Sequence, residues 1–137
     1  MKKYLLLLLI AFSFSNCELG DDDNPKFHLE LLPVATATFP AEFKKDSIYQ
    51  IPIQFNRPTN CYIYDGFYYE KNRNERLIAV QTSVVEQNDC GTMLVNPMVK
   101  ILTFKPTIEE SYIFKLWKGK GSDGADIFEE IEIPVIP

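Results

Sequence analysis

Apolar and polar side chains alternate with a period of two along most of this chain. Successive side chains of a strand point to opposite faces, so this period predicts strands with one buried and one solvated face. Clusters of Gly, Pro, Asn and Asp separate the alternating stretches, and no stretch combines a sustained helical period with capping residues. The chain is therefore predicted to be all-β. The stretches are 27–39 with a break at Pro33, 49–55, 61–70, 76–86, 99–104, 111–118 and 126–135.

The number and spacing of these stretches predict a single domain. Short strands separated by turn signals are typical of two packed antiparallel sheets, here with about seven strands. An aromatic content of 13% also favours sheet over helix. We expect this β-sandwich to occupy residues 27–137.

A local motif makes the predicted fold more specific. Residues 102–106 read Leu-Thr-Phe-Lys-Pro, and residues 112–116 read Tyr-Ile-Phe-Lys-Leu. The pair resembles the corner before the sixth strand of immunoglobulin-like and fibronectin-type domains, in which a tyrosine hydroxyl bonds back to the upstream backbone. The resemblance implies an immunoglobulin-like sandwich and assigns the corner position to Tyr112. An ordinary buried or half-exposed tyrosine is the alternative.

The N-terminal residues 1–16 have the layout of a secretory signal peptide. Lys2 and Lys3 precede an apolar run of about ten residues, which small and polar residues follow. A membrane-spanning helix needs roughly 20 apolar residues, so this run is too short to remain as a span. An uncleaved anchor or a buried strand is the alternative, which the aspartates at 21–23 oppose because buried charges are costly. We expect residues 1–16 to be removed.

The residues at 14–17, Phe-Ser-Asn-Cys, resemble the lipobox of bacterial lipoproteins, in which the mature chain begins at a lipid-carrying cysteine. Phe14 and Asn16 stand where the usual pattern has an aliphatic residue and Gly or Ala. The acidic tract after Cys17 resembles the export signal of surface lipoproteins of the Bacteroidota, and a solvated linker is its alternative. The resemblance implies that lipid on Cys17 holds the chain in the outer membrane, at the cell surface or the periplasmic face. Residues 17–26 would then form an acidic tether.

Two further cysteines form a candidate pair. With Cys17 lipidated, Cys61 and Cys90 remain as an even number in an oxidising compartment. A disulfide between them would close a loop of about 30 residues and contribute roughly 3.5 kcal/mol in the chain-entropy model. Metal binding is the alternative, but the sequence has no CxxC spacing and its one histidine, His28, lies far off. We expect a disulfide between a strand start and a loop, with no metal site and no cofactor.

Charge and residue types argue against several classes of function. Removing residues 1–16 takes away Lys2 and Lys3 and no acidic residue, so the net charge changes from −5 to −7. An acidic domain does not favour nucleic acid as a partner, because phosphate contacts need clustered Lys and Arg. The sequence also lacks a nucleophile elbow, a phosphate-binding loop that opens a helix and a spaced calcium loop. We therefore expect no enzymatic activity.

The main candidate for a binding surface is the run of tyrosines within 61–70. Alternation places Tyr62, Tyr64 and Tyr68 on one face, and Trp117 is a candidate fourth member. Exposed aromatic rings provide stacking surfaces for sugar rings or for a partner protein. The alternative is that the sandwich and its loops cover both faces of a central strand.

A short motif predicts a modification. Asp46-Ser47-Ile48 resembles the acceptor sequence for O-linked glycans on exported proteins of the Bacteroidota, which implies attachment at Ser47. An ordinary turn into the next strand fits the same three residues.

Together these features predict a lipid-anchored binding or interaction module of the cell envelope, and a candidate accessory subunit of an outer-membrane complex. Its partners would be the membrane, through lipid on Cys17, and an envelope protein or a glycan. Two alternatives stay open. The first is a carbohydrate-binding module that uses the aromatic face, and the second is a structural spacer that raises a partner off the membrane.

Overall fold

The fold is given by a computed structural model that describes residues 24–92 and 97–137. Within these ranges the chain contains strands and turns, and no helix there is long and apolar enough to cross a membrane. Seven strands have six residues or more, as the sequence pattern predicts, and two more have two residues each. The strands are β1 (Phe27–Leu32), β2 (Thr36–Ala37), β3 (Phe43–Lys44), β4 (Tyr49–Phe55), β5 (Tyr62–Asn72), β6 (Glu75–Val85), β7 (Met98–Phe104), β8 (Ser111–Lys120) and β9 (Asp126–Ile136).

The strands form two sheets, which confirms the predicted all-β sandwich. The larger sheet has the order β1-β6-β8-β9-β3, with β5 also paired to β6, and the smaller sheet has the order β2-β4-β7. Two pairings, β6 with β8 and β3 with β9, are parallel, whereas the sequence predicted antiparallel sheets throughout. The chain leaves β6 for β7 in the smaller sheet and then returns to β8. Such a crossover allows the returning strand to run in the same direction as its neighbour.

Aromatic side chains join the two sheets at the centre of the core. Phe104 of β7 meets Phe43 of β3 and Phe114 of β8, each with ring centroids 5.1 Å apart. Aromatic contacts of this kind contribute about 0.5–1.5 kcal/mol each beyond the area that they bury. Ile53 of β4 and Ile78 of β6 are fully buried beside them. The core therefore lies between the inner faces of the sheets, as a sandwich requires.

Tyr112 forms the tyrosine corner that the sequence motif predicts. Its side chain is buried, and its hydroxyl accepts a hydrogen bond from the backbone N–H of Thr107 at 2.9 Å. A second corner, which the sequence analysis did not identify, has the same spacing of five residues. There the hydroxyl of Tyr49 accepts a hydrogen bond from the N–H of Lys44 at 2.7 Å. The two turns touch, since the N–H of Asp46 donates to the carbonyl of Pro106 at 2.9 Å.

The predicted disulfide between Cys61 and Cys90 is present, with Cα atoms 5.5 Å apart. It joins the residue before β5 to the turn after β6, so it connects a strand start to a loop as expected. Asn60 strengthens the same junction. Its N–H donates to the carbonyl of Gly91 at 3.0 Å, and its side-chain oxygen accepts from the N–H of Gly91 at 2.9 Å.

Replacing Tyr112 by Phe should lower the free energy of unfolding by about 1–2 kcal/mol, because the N–H of Thr107 loses its acceptor while the ring still fills the core. Urea unfolding of the parent and the variant measures this difference. Tyr68→Phe is the matched control, since the hydroxyl of Tyr68 bonds to the exposed Glu70, and a change within about 0.5 kcal/mol is expected. Equal losses in both variants would show that the corner contributes nothing specific.

Candidate functional site

A β-bulge in β5 decides where the tyrosines of this strand point. The pairing with β6 skips Asp65, so the register shifts between Tyr64 and Gly66. Gly66 has a φ of 146°, a backbone conformation that glycine adopts more readily than other residues. Because side chains alternate with a period of two, one extra residue moves every later side chain to the opposite face. The bulge was not predicted from the sequence, although an isolated glycine inside a strand pattern is the signal that indicates one.

The bulge separates the tyrosines that the sequence pattern placed together. Tyr62 and Tyr64 precede it and share the inner face of the larger sheet with the fully buried Thr82. Tyr68 follows it, lies opposite Ala79 and points to the outer face. The prediction that Tyr62, Tyr64 and Tyr68 share one face is therefore wrong. The unpaired Asp65 lies between Tyr64 and Tyr68 and moves Tyr68 to the opposite face.

Tyr62 and Tyr64 are held by contacts within the sandwich. The ring of Tyr64 stacks on Phe55 of β4 with centroids 5.7 Å apart, and Nζ of Lys100 lies 5.0 Å from its centre. Burial raises the pKa of Tyr64. Burial, followed by the nearby carboxylate of Glu30, raises the pKa of Tyr62, whose hydroxyl donates to Glu30 at 3.2 Å. Tyr62 and Tyr64 therefore act as packing residues of the sandwich.

Tyr68 and Trp117 instead both line a groove of about 720 Å³ on the outer face of the larger sheet. Ala79 of β6 lies between Tyr68 of β5 on one side and the end of β8, with Trp117, on the other. Phe128 of β9 is the cross-strand partner of Trp117. We call this feature the outer groove. Its apolar walls are Leu29, Leu31, Tyr68, Leu77, Trp117 and Phe128.

The outer groove exists because β1 and β8 share one edge of β6. β5 occupies the other edge of β6 along its length, while β1 pairs with residues 80–85 and β8 with residues 75–78. At the junction the chain leaves β1, and the N–H of Val34 donates to the carbonyl of Trp117 at 2.9 Å. Ala79 lies at this junction, and its side chain is a single methyl group. The larger side chains around it therefore enclose a depression.

Two carboxylates fix the aromatic rings of the outer groove. Asp126 accepts a hydrogen bond from Nε1 of Trp117 at 3.0 Å and pairs with Nζ of Lys120 at 2.9 Å. The hydroxyl of Tyr68 donates to Glu70 at 3.0 Å. The bonds from Lys120 and then from Trp117 lower the pKa of Asp126, and the bond to Glu70 raises the pKa of Tyr68. At neutral pH the groove therefore holds an ionised Asp126 and a protonated Tyr68.

The aliphatic wall of the outer groove was not predicted from the sequence. The alternation of Phe27, Leu29 and Leu31 with His28, Glu30 and Leu32 predicted a strand with one buried face, and the more apolar face was expected to be buried. In the structure these three side chains are outermost, with Phe27 67% and Leu29 65% exposed. The polar partners His28 and Glu30 lie on the inner face, beyond the part that the smaller sheet covers, and contact each other at 3.5 Å.

The candidate glycosylation site, Ser47, does not line the outer groove. Ser47 is half-buried in the turn before β4, where its N–H donates to the carbonyl of Lys44 at 3.2 Å. Cys17 lies outside the described residues, so its lipidation stays a prediction. In the part of the chain that the structure describes, no three His, Cys, Asp or Glu side chains are grouped so that they could hold a metal ion.

Comparisons with models of protein families, with curated proteins and with solved structures found no match to this chain. The role of the molecule is therefore inferred from its own residues and their contacts.

The pH dependence of tryptophan fluorescence tests the environment of Trp117, the one tryptophan of the chain. Because the pKa of Asp126 is lowered in the folded state, its contacts are complete above the unfolded-state pKa and are lost as the pH falls through the folded-state value. We expect constant emission from pH 7 to about 4 and a change below that range.

Asp126→Asn should remove this acid transition, and the control Asp123→Asn should retain it. Asp123 caps the neighbouring turn through the N–H of Ala125 and makes no bond to Trp117 among the described contacts. An unchanged transition in Asp126→Asn would mean that another group controls the ring.

Proposed function

We propose that this chain is a lipid-anchored binding module of the cell envelope without catalytic activity, and that its binding surface is the outer groove. The supporting observation is the arrangement of Tyr68 and Trp117 on either side of Ala79, each oriented by a carboxylate. Contiguous apolar surface on a soluble domain commonly marks an interaction site. Aromatic side chains held in one orientation lose little conformational entropy when a partner binds.

The partner that fits this surface best is an apolar segment of another envelope protein with positive charge at its margins. Aliphatic residues of the wall such as Leu31 and Leu77 suit apolar side chains of a partner, because removing apolar surface from water lowers the free energy. Glu70 and Asp126 give the margin negative charge, partly offset by Lys120, within a chain of net charge −5. Complementary charge at the rim of an interface favours association and orients the partner.

The proposed anchor places this surface close to a membrane. After removal of residues 1–16, Cys17 would carry the lipid and residues 18–26 would connect it to β1. One acyl chain binds a membrane only marginally, whereas the two or three chains of a bacterial lipoprotein hold it firmly. The domain then needs no membrane-binding surface of its own. We propose location in the outer membrane, at the cell surface or the periplasmic face, with a role as an accessory subunit of an outer-membrane complex.

Carbohydrate binding is the second candidate function. Tyr68 and Trp117 offer ring faces to a sugar, and the carboxylates of Glu70 and Asp126 offer acceptors to its hydroxyl groups. The aliphatic residues of the same groove favour a protein segment instead. A pure spacer has no use for an apolar groove, so the groove favours a binding role over that alternative.

Trp117→Ala should abolish partner binding or weaken it by at least about tenfold, because buried tryptophans dominate the binding free energy of many interfaces. Partners are recovered by mild crosslinking and affinity purification from native membranes and quantified for parent and variant. Ile108→Ala is the matched control, since Ile108 is an exposed apolar residue outside the groove.

Recovery of the same protein partner with Trp117→Ala as with the parent would reject the outer groove as its binding surface. A glycan array probed with the same variants separates the second candidate. Glycan binding that Trp117→Ala abolishes and Ile108→Ala retains would favour the carbohydrate function.

Labelling with a radioactive fatty acid tests the anchor. The parent chain should incorporate label and Cys17→Ala should not, because the thioether to the lipid requires that sulfur. The double variant Cys61→Ser and Cys90→Ser should still be labelled, since these sulfurs form the disulfide. Equal labelling of parent and Cys17→Ala would end the lipoprotein proposal while leaving the groove proposal open.

A further inference from the structure

A second pocket lies between the two sheets, where the C-terminal part of β5 faces the end of β7. Its volume is about 360 Å³. We call it the basic pocket, because three of its eight lining residues are cations and none is a carboxylate. Its polar lining residues are Tyr69, Lys71, Arg76, Thr103, Lys105 and Thr107.

Arg76 is the central cation of the basic pocket and is 5% exposed. Its Nη1 donates to the carbonyls of Arg73 and Glu75 at 2.7 Å each, and its guanidinium lies 4.8 Å from the ring centre of Tyr112. Its Nε is buried and has no acceptor among the described residues. No ion pair of the described residues includes Arg76. Backbone dipoles and an aromatic face therefore surround this charge, and no carboxylate of the described residues pairs with it.

Burial without a counter-ion makes this arrangement costly. Moving a charged group out of water is unfavourable unless an opposite charge and hydrogen bonds compensate it. A guanidinium stays charged in proteins, so the cost of burying it persists. A negative charge in the basic pocket would therefore stabilise the buried guanidinium of Arg76.

Two lysines add to the positive charge of the basic pocket. Lys71 of β5 is the strand partner of Arg76, and Lys105 follows β7. Lys105 has a carboxylate in reach, Asp46 at 3.7 Å, but both side chains are more than half exposed and such pairs are weak. Three like charges around one pocket repel each other, in a chain whose net charge is −5. A bound anion would attract all three cations and offset their mutual repulsion.

We propose that the basic pocket binds an oxyanion, the carboxylate or phosphate group of a small ligand. Arg76 supplies a planar, permanently charged group suited to oxyanions, and Lys71 and Lys105 supply mobile point charges at the entrance. The hydroxyls of Tyr69, Thr103 and Thr107 add neutral donors. The pocket faces the interior side of the larger sheet, opposite to the outer groove, so this site is independent of the proposed function.

Equilibrium dialysis of the full chain in non-ionic detergent tests this site, with inorganic phosphate and acetate as probes and chloride keeping the ionic strength constant. Saturable binding of at least one probe is expected. The probe that binds more tightly identifies phosphate or carboxylate as the preferred chemistry. Because exposed lysines contribute modestly, Lys71→Gln and Lys105→Gln should each weaken binding about threefold to fivefold. Lys26→Gln, just before β1 and outside the pocket, is the matched control and should leave affinity unchanged.

Arg76→Lys should weaken binding more than either lysine variant, because lysine keeps the charge and loses the planar geometry. The two lysine variants change exposed side chains, so they keep the test decisive if Arg76→Lys fails to fold. Absence of saturable binding of both probes would overturn the proposal. Equal affinity in Lys71→Gln, Lys105→Gln and Lys26→Gln would overturn it as well.

Discussion

A strand has two hydrogen-bonding edges, and β6 uses them for three partners. β5 takes one edge along the whole strand, so β1 and β8 divide the other between residues 80–85 and 75–78. This division brings an antiparallel and a parallel neighbour end to end on one strand. The outer groove opens at their junction, over Ala79, and the basic pocket lies on the opposite face near the start of the same strand. The position of both candidate sites thus depends on how the backbone bonds of β6 are shared.

The bulge at Asp65 has a comparable influence on the faces of β5. Before it, Tyr64 stacks on Phe55 and helps to close the sandwich. After it, Tyr68 reaches the outer groove and Tyr69 reaches the basic pocket, because neighbouring residues of a strand point to opposite faces. One unpaired residue therefore lets a single strand contribute to the core and to two surfaces. A regular strand would have placed Tyr64 and Tyr68 on the same side.

The outer and inner faces of the larger sheet differ in how their charged groups are paired. On the outer face, Lys120 and the indole N–H of Trp117 bond to Asp126, so its charge orients a ring and is partly offset. On the inner face, Arg76 is buried beside backbone carbonyls and an aromatic ring and has no carboxylate partner among the described residues. The first arrangement suits a partner with apolar side chains. The second suits a small negatively charged group.

Several features followed from the sequence because they depend on neighbouring residues or on the number of cysteines. The period of two indicated the strands, the paired motifs at 102–106 and 112–116 indicated the corner at Tyr112, and the even number of remaining cysteines indicated the bond between Cys61 and Cys90. Backbone geometry and short loops impose the first two patterns locally, so they are visible in the order of residues, whereas the disulfide followed from the number of cysteines. The lipid on Cys17 and the glycan on Ser47 remain predictions of this kind.

Tertiary structure decided which face of each strand is covered. Leu29 is exposed although its alternation favours burial, and Arg76 is buried although its charge favours water. Both outcomes depend on where the smaller sheet ends and on which strands share the edges of β6, and those contacts join residues far apart in the chain. Sequence by itself therefore determined the strands, the corner and the disulfide. The three-dimensional arrangement determined the groove and the pocket, because a surface site depends on what leaves it uncovered.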